Sequence, residues 1–193
     1  YCLGERSKQQ RLLAAANGQL EEANRTLDLL SQTDPLTALL NRRGLQNALI
    51  VEKARANRNK RSAVAVLIDC DDFKQINESY GHTGGDEVLR VLAARIKEVM
   101  RSTDHSSRVG GDEFVILCPE TDLVAVKPLL ERLLAAISTE SVKIKDREAR
   151  VTVSIGAAEL PGEQCTVDDI LALTRESLAA SKQSGKNAVN YSG

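Results

Sequence analysis

Aromatic residues are scarce, with two Phe, three Tyr and no Trp in 193 residues. A core must therefore be built from Leu, Val, Ile and Ala, and an apolar content of 42% is enough to make one. The four cysteines, Cys2, Cys70, Cys118 and Cys165, stand far apart, with no CxxC pair and no histidine cluster. That argues against a disulfide scaffold or a zinc site and fits a reducing compartment. Net charge is only −1, so the polybasic signature of nucleic-acid or anionic-membrane binding is missing. No run approaches ~20 apolar residues, and the start lacks a signal-peptide layout. No membrane contact is expected of this segment, and the expected location is cytoplasmic. The length suits one domain of roughly 150 residues with an appendage, and the opening Tyr1-Cys2-Leu3 reads as the start of a piece of a longer protein.

What is present divides at about residue 33. Over residues 1–32, Leu13, Ala16, Leu20, Ala23, Leu27 and Leu30 recur at alternating spacings of three and four, with Gln, Glu, Asn and Arg between them. Such a narrow stripe fits the seam of a parallel coiled coil, although a helix packed on its own domain makes a similar pattern. Gly18 and the two alanines weaken the seam. Thr33-Asp34-Pro35 ends the helix, and residues 33–193 read as one mixed α and β domain.

Within that domain, Asn41 is placed to cap a helix running to about Arg58. Ser62 to Asp69 is a continuous apolar run, as a buried central strand requires. A helical segment from Phe73, a break at Tyr80-Gly81-His82 and a longer helix from Gly84 to Met100 follow. Further on come a hairpin, a helix near 122–138, a strand from Glu148 to Glu159, a helix from Asp168 to Ser184, and a terminal strand from Asn187 to Tyr191. The fold class is α+β: a ferredoxin-like βαββαβ palm with an antiparallel central sheet and flanking helices, plus the N-terminal helical coiled coil.

Two acidic groups are candidates for chemistry. Asp69-Cys70-Asp71-Asp72 ends the first strand, and Gly110-Gly111-Asp112-Glu113 is a Gly-Gly turn with carboxylates at the start of an apolar strand. Glycines admit a backbone or a phosphate closely, and carboxylates there suit a hard cation shared with substrate phosphates. Taken singly, each group is also what an ordinary loop or helix cap contains. Gly84-Gly85-Asp86-Glu87 repeats the four letters at a predicted helix start, where acids suit the helix dipole. Only the 110–113 copy lies between strands, and the palm topology sets it beside Asp69.

Several separated blocks then resemble the GGDEF family of diguanylate cyclases. They are Asp34-Pro35-Leu36-Thr37 with Asn41-Arg42-Arg43, Asp69 to Asn77, Tyr80-Gly81-His82, Gly85-Asp86, Arg108 to Phe114, and Val153-Ser154-Ile155-Gly156. The resemblance spans about Thr33 to Tyr191. It implies an enzyme that joins two GTP into cyclic di-GMP, releasing two pyrophosphates, with two Mg²⁺ per active site and Mn²⁺ as a substitute. Asp69, Asp112 and Glu113 would be catalytic, with metal held by Asp69, the Cys70 backbone carbonyl, Asp112 and Glu113. Asn77 and Asp86 would read guanine. Asp72, Phe73, Lys74, Gly110, Gly111, Lys182 and Lys186 would hold the rest of the substrate, with Lys186 standing where the family commonly has arginine. Ala38 stands where glycine is common.

Arg101-Ser102-Thr103-Asp104 and Arg132 match the family's inhibitory product site, although an arginine and an aspartate at a helix end are also an ordinary cap. Since two GTP-bearing domains must meet, the resemblance implies a homodimer, joined by the coiled coil and set by an upstream sensor domain outside this chain. A catalytically silent cyclic di-GMP receptor and a dimerisation module are the competing functions.

Overall fold

The computed structural model describes residues 31–59, 61–161 and 165–192, and Gly18 ahead of them. The candidate coiled-coil seam from Leu13 to Leu30 lies outside the described residues, Gly18 apart. Helix α1 (Arg42–Asn59) is followed by β1 (Val64–Cys70), α2 (Phe73–Val99) and the hairpin β2 (His105–Gly110) and β3 (Glu113–Cys118). Helix α3 (Leu123–Ser138), the short hairpin β4 (Val142–Ile144) and β5 (Arg147–Ala149), β6 (Val153–Glu159), α4 (Val167–Gln183) and β7 (Val189–Ser192) complete it.

The main sheet has the order β2-β3-β1-β6-β7. Its first four strands are antiparallel neighbours in the ferredoxin-like arrangement, and β7 joins β6 in parallel, so the sheet is mixed at that edge. Strand β1 has neighbours on both sides and is covered on both faces, which is why its sequence is apolar without alternation. Val64, Val66, Ile68, Phe114, Ile116, Val153 and Ile155 face a core shared with α2 and α3. Ala65, Leu67, Val115 and Leu117 face the opposite core with Leu45, Leu49, Ile170 and Leu178, from α1 and α4. Among the described residues no helix is long and apolar enough to cross a membrane.

Local rules account for most element ends. Asn41 Oδ1 accepts the Gly44 amide at 2.9 Å, the expected cap of α1. Asp122 caps α3 through the amides of Val124 and Ala125, and Thr166 with Asp169 forms a reciprocal capping box at α4. The strand expected from Glu148 to Glu159 is instead two: β5 pairs with β4 in a separate small sheet, and β6 enters the main sheet at Val153. The break expected at Tyr80-Gly81-His82 is present at Gly81 (φ 74°, ψ 169°), which divides α2 into two helical halves. Ala38 holds φ 56°, a left-handed value that glycine adopts without strain.

Candidate active site

Antiparallel pairing of β1 and β3 sets Asp69 opposite Glu113. The β2–β3 turn passes through Gly111, whose φ is 49°, and Asp112. The Cys70 amide donates to the Asp112 carbonyl at 3.4 Å, so the hairpin tip lies over the end of β1. Arg108 secures that tip. Its Nε and Nη2 donate to the Gly111 carbonyl at 2.9 and 2.7 Å, and its Nη1 reaches both Asp34 oxygens at 3.3 and 3.2 Å.

Asp34 also accepts from the Thr37 amide and hydroxyl, at 2.9 and 2.6 Å. Burial pushes its carboxyl up, but these donors and Arg108 outweigh burial and hold it below the usual value. A depressed carboxylate contributes stability above the unfolded pKa of ~3.9 and loses it as pH falls through the folded value. Asp34→Asn should therefore cost roughly 1–2 kcal/mol at pH 7 in urea unfolding. The difference from the parent should close as pH falls below about 4.

Burial first, and Asp69 second, push the Asp112 carboxyl above its ordinary value, with Glu113 adding to the effect. Lys182 Nζ lies 2.7 Å from Asp69 Oδ1 and partly offsets this charge. Lys186 Nζ lies 2.6 Å from Asp72 Oδ1, and that bond raises its own pKa. Asp72 sits at φ 55° ahead of α2, with its side chain on Lys186 rather than on the helix amides. The Gln75 and Ile76 amides both donate to the Asp72 carbonyl, at 2.8 and 3.1 Å, while those of Phe73 and Lys74 precede the first intrahelical bond.

Among the described residues no three His, Cys, Asp or Glu side chains converge to hold an ion. Asp69 and Asp112 instead supply two hard carboxylates whose mutual repulsion a dication would relieve. This suits Mg²⁺, which typically takes one or two carboxylates and completes its shell with phosphates and water. Burial and the surrounding carboxylates push the Cys70 thiol far up, so it stays protonated and unsuited to ligation through sulfur.

Asp71, between these groups, is buried and points the other way. It accepts from Ser154 Oγ at 2.7 Å, Thr152 Oγ1 at 2.8 Å and the Asn187 amide at 3.0 Å. It ties the end of β1 to β6 and to the 186–187 turn that carries Lys186. Sequence reading gave this residue no such role.

Comparison with known proteins accords with this geometry. The family described as "Diguanylate cyclase, GGDEF domain" matches residues 31–188. The chain belongs to the GGDEF family. It is 36% identical over 155 residues to the diguanylate cyclase DgcP of Pseudomonas aeruginosa, covering 80% of this chain and 23% of that protein. It is 39% identical over 162 residues to the response regulator PleD of Caulobacter vibrioides, covering 83% of this chain and 36% of PleD. The chain thus spans about a quarter to a third of these relatives. Among solved structures, the coiled coil and GGDEF domain of DgcB from Caulobacter crescentus, in complex with c-di-GMP, superposes with a TM-score of 0.77. It is 27% identical, over 95% of this chain and 98% of that one.

In this GGDEF domain, Asn77 and Asp86 lie on α2 on either side of the Gly81 break. Gly85 packs so closely on Asn77 that an added Cβ would stand 2.0 Å from its Oδ1. Phe73 packs against the core, and Lys74 is exposed, 3.9 Å from Glu78. Gly110 and Gly111 leave open space at the hairpin tip. At the far end of α2, the Arg101 amide donates to Asp104 Oδ2 at 2.9 Å, and Arg132 Nη2 donates to the Val99 carbonyl at 2.7 Å. Arg132 is thereby brought to the Arg101–Asp104 turn. Thr103 of that turn lines a cavity of about 410 Å³ together with Arg55, Arg58, Pro119 and Glu120.

Proposed function

We propose that residues 33–193 form a diguanylate cyclase domain, which condenses two GTP into cyclic di-GMP and two pyrophosphates across a homodimer. One observation carries the reading. Asp69 and Glu113 oppose each other on adjacent strands, with Asp112 at the turn beside them and Lys182 within 2.7 Å of Asp69. Two Mg²⁺, held by Asp69, the Cys70 carbonyl, Asp112 and Glu113, would neutralise the triphosphate and polarise the α-phosphorus when bound. Manganese would serve in their place.

The protein's own groups account for the rest. The first-turn amides at Phe73 and Lys74, the open glycines 110 and 111, and Lys182 and Lys186 hold the phosphates. Lys182 exchanges Asp69 for a phosphate as substrate arrives, and Lys186 exchanges Asp72. Glu113 assists departure of the 3′-hydroxyl proton. Asp86 accepts from the N1–H and N2 amine of guanine, and Asn77 supplies a complementary amide; adenine offers no proton at N1. Each domain holds one GTP, so each 3′-hydroxyl must attack the other domain's α-phosphorus. A helix pair formed by residues 1–32 would raise the frequency of that encounter under an upstream sensor.

Product feedback belongs to the same reading. The Arg101–Asp104 turn, the nearby Arg132 and a cavity lined by Arg55 and Arg58 offer guanidinium chemistry suited to the phosphates of cyclic di-GMP. The test is incubation of purified protein with GTP and Mg²⁺, with a phosphodiesterase present to remove feedback and products identified by mass. Cyclic di-GMP, or its linear breakdown product, is expected. Binding of cyclic di-GMP with no turnover under any metal would instead favour a receptor.

A further inference from the structure

Asn77 and Asp86 lie on two halves of α2 that meet at Gly81, where the backbone leaves helical geometry. Their relative placement depends on the angle at that break. A single glycine cannot fix it, because glycine tolerates many backbone angles.

Contacts from the β4–β5 hairpin reach both sides of the break, β5 touching Ser79 and Tyr80 ahead of it and β4 touching Gly84 beyond it. Arg147 of β5 donates from Nη1 to the Ser79 carbonyl at 3.3 Å, and its guanidinium lies 4.4 Å from the centre of the Tyr80 ring. Tyr80 in turn donates its hydroxyl to the Glu148 carbonyl at 3.2 Å. Beyond the break, Gly84 is wedged between Tyr80 and the hairpin. An added Cβ there would stand 2.5 Å from Tyr80 Cβ and 3.2 Å from Ile144 Cγ2. Alongside is a cavity of about 280 Å³ lined by Thr83, Gly84, Glu87, Lys143, Ile144 and Lys145, while farther along the second half Val88, Leu89, Leu92 and Ile96 are buried in the core. The hairpin itself is anchored, since Val142, Ile144 and Ala149 are buried in the α2–α3 core.

We propose that the β4–β5 hairpin is a brace for base selection, in which Arg147 and Tyr80 set the bend at Gly81 and hence the spacing of Asn77 and Asp86. Both are positioning residues. The inference rests on the assignment of Asn77 and Asp86 as the guanine-reading pair. Loss of the brace would let the segment around the break, from Ser79 to Asp86, shift against the core-packed remainder of α2. Guanine would lose its paired contacts, while the phosphate corner at Asp72 and Lys186 would be untouched.

The test uses 3′-deoxy-GTP and 3′-deoxy-ATP with Mg²⁺, because ligands without a 3′-hydroxyl bind but cannot react. Calorimetric Kd values are compared for the parent, Arg147→Ala, Arg147→Lys and Tyr80→Phe. The parent should prefer the guanine nucleotide. Arg147→Ala should weaken it about tenfold and leave the adenine nucleotide within about twofold, collapsing the preference. Arg147→Lys retains a cation over the ring and a donor for Ser79, and should restore most of it. Tyr80→Phe, which keeps the ring, should lose roughly threefold and serves if Arg147→Ala does not fold. A parent without guanine preference would overturn the base-reading assignment, and the brace with it. A parent with preference, and variants that keep the same ratio, would overturn the brace alone.

Discussion

Asp112→Asn is expected to cut cyclic di-GMP formation about a thousandfold, roughly 4 kcal/mol of barrier, without making the metal-free protein less heat-stable. The two halves of this result come from one cause. Burial and the nearby Asp69 disfavour a charge at Asp112, and Glu113 adds a like charge. The amide is nearly isosteric, so the turn and the Cys70–Asp112 backbone bond remain while the repulsion is removed. In chelator, the variant's melting temperature should equal or exceed the parent's. With Mg²⁺ and 3′-deoxy-GTP at a hundred times Kd, the parent gains about 2.7 kcal/mol, a shift of several degrees. The variant should gain much less, having lost a charged ligand. A variant that melts early in chelator would make Asp112 a structural residue. One that turns over normally would remove it from the chemistry altogether.

What the sequence revealed was whatever is encoded locally. The apolar run through β1, the cap at Asn41 and the glycine turn at 110–111 each depend on residues a few positions apart. Their structural counterparts follow the expectation closely, whereas the caps at Asp122 and Thr166 emerge only from the structure. The palm order added the decisive long-range step by putting Asp69 beside Glu113. The β4–β5 hairpin escaped because three-residue strands leave almost no alternation to detect, and Lys145, at φ 55°, is not a typical turn residue. The Asp34–Arg108 clamp escaped for another reason. Its partners lie 74 positions apart, and either residue alone is an unremarkable polar group. Asp71 is the sharpest case, since three neighbouring aspartates look alike in sequence while the fold turns one inward.

That inward turn makes Asp71→Ala the largest stability loss expected for any single carboxylate here, roughly 3–5 kcal/mol, or a melting temperature lower by about 10–15 °C. Asp71 is the acceptor for Ser154 Oγ, Thr152 Oγ1 and the Asn187 amide, which lie 83, 81 and 116 positions away. Removing it strands the Ser154 hydroxyl in the interior, takes their acceptor from the half-buried Thr152 hydroxyl and the amide of exposed Asn187, and leaves a void where a carboxylate stood. Asn187 has φ 46° and Lys186 φ 65°, so the turn that carries Lys186 is held in a left-handed conformation that asparagine tolerates but that is unfavourable for the lysine. Without the Asn187 anchor that turn should relax, taking Lys186 away from Asp72. Folded Asp71→Ala should therefore also bind 3′-deoxy-GTP more weakly, by calorimetry at a temperature well below its melting point. Asp71→Asn, which can still accept from Ser154, should lose about half as much stability. Equal losses in the two variants would mean that packing, and not the hydrogen bonds, governs this corner. Unchanged nucleotide affinity in Asp71→Ala would mean that the 186–187 turn keeps its shape without the anchor, and that Asp71 serves the fold but not the phosphate corner.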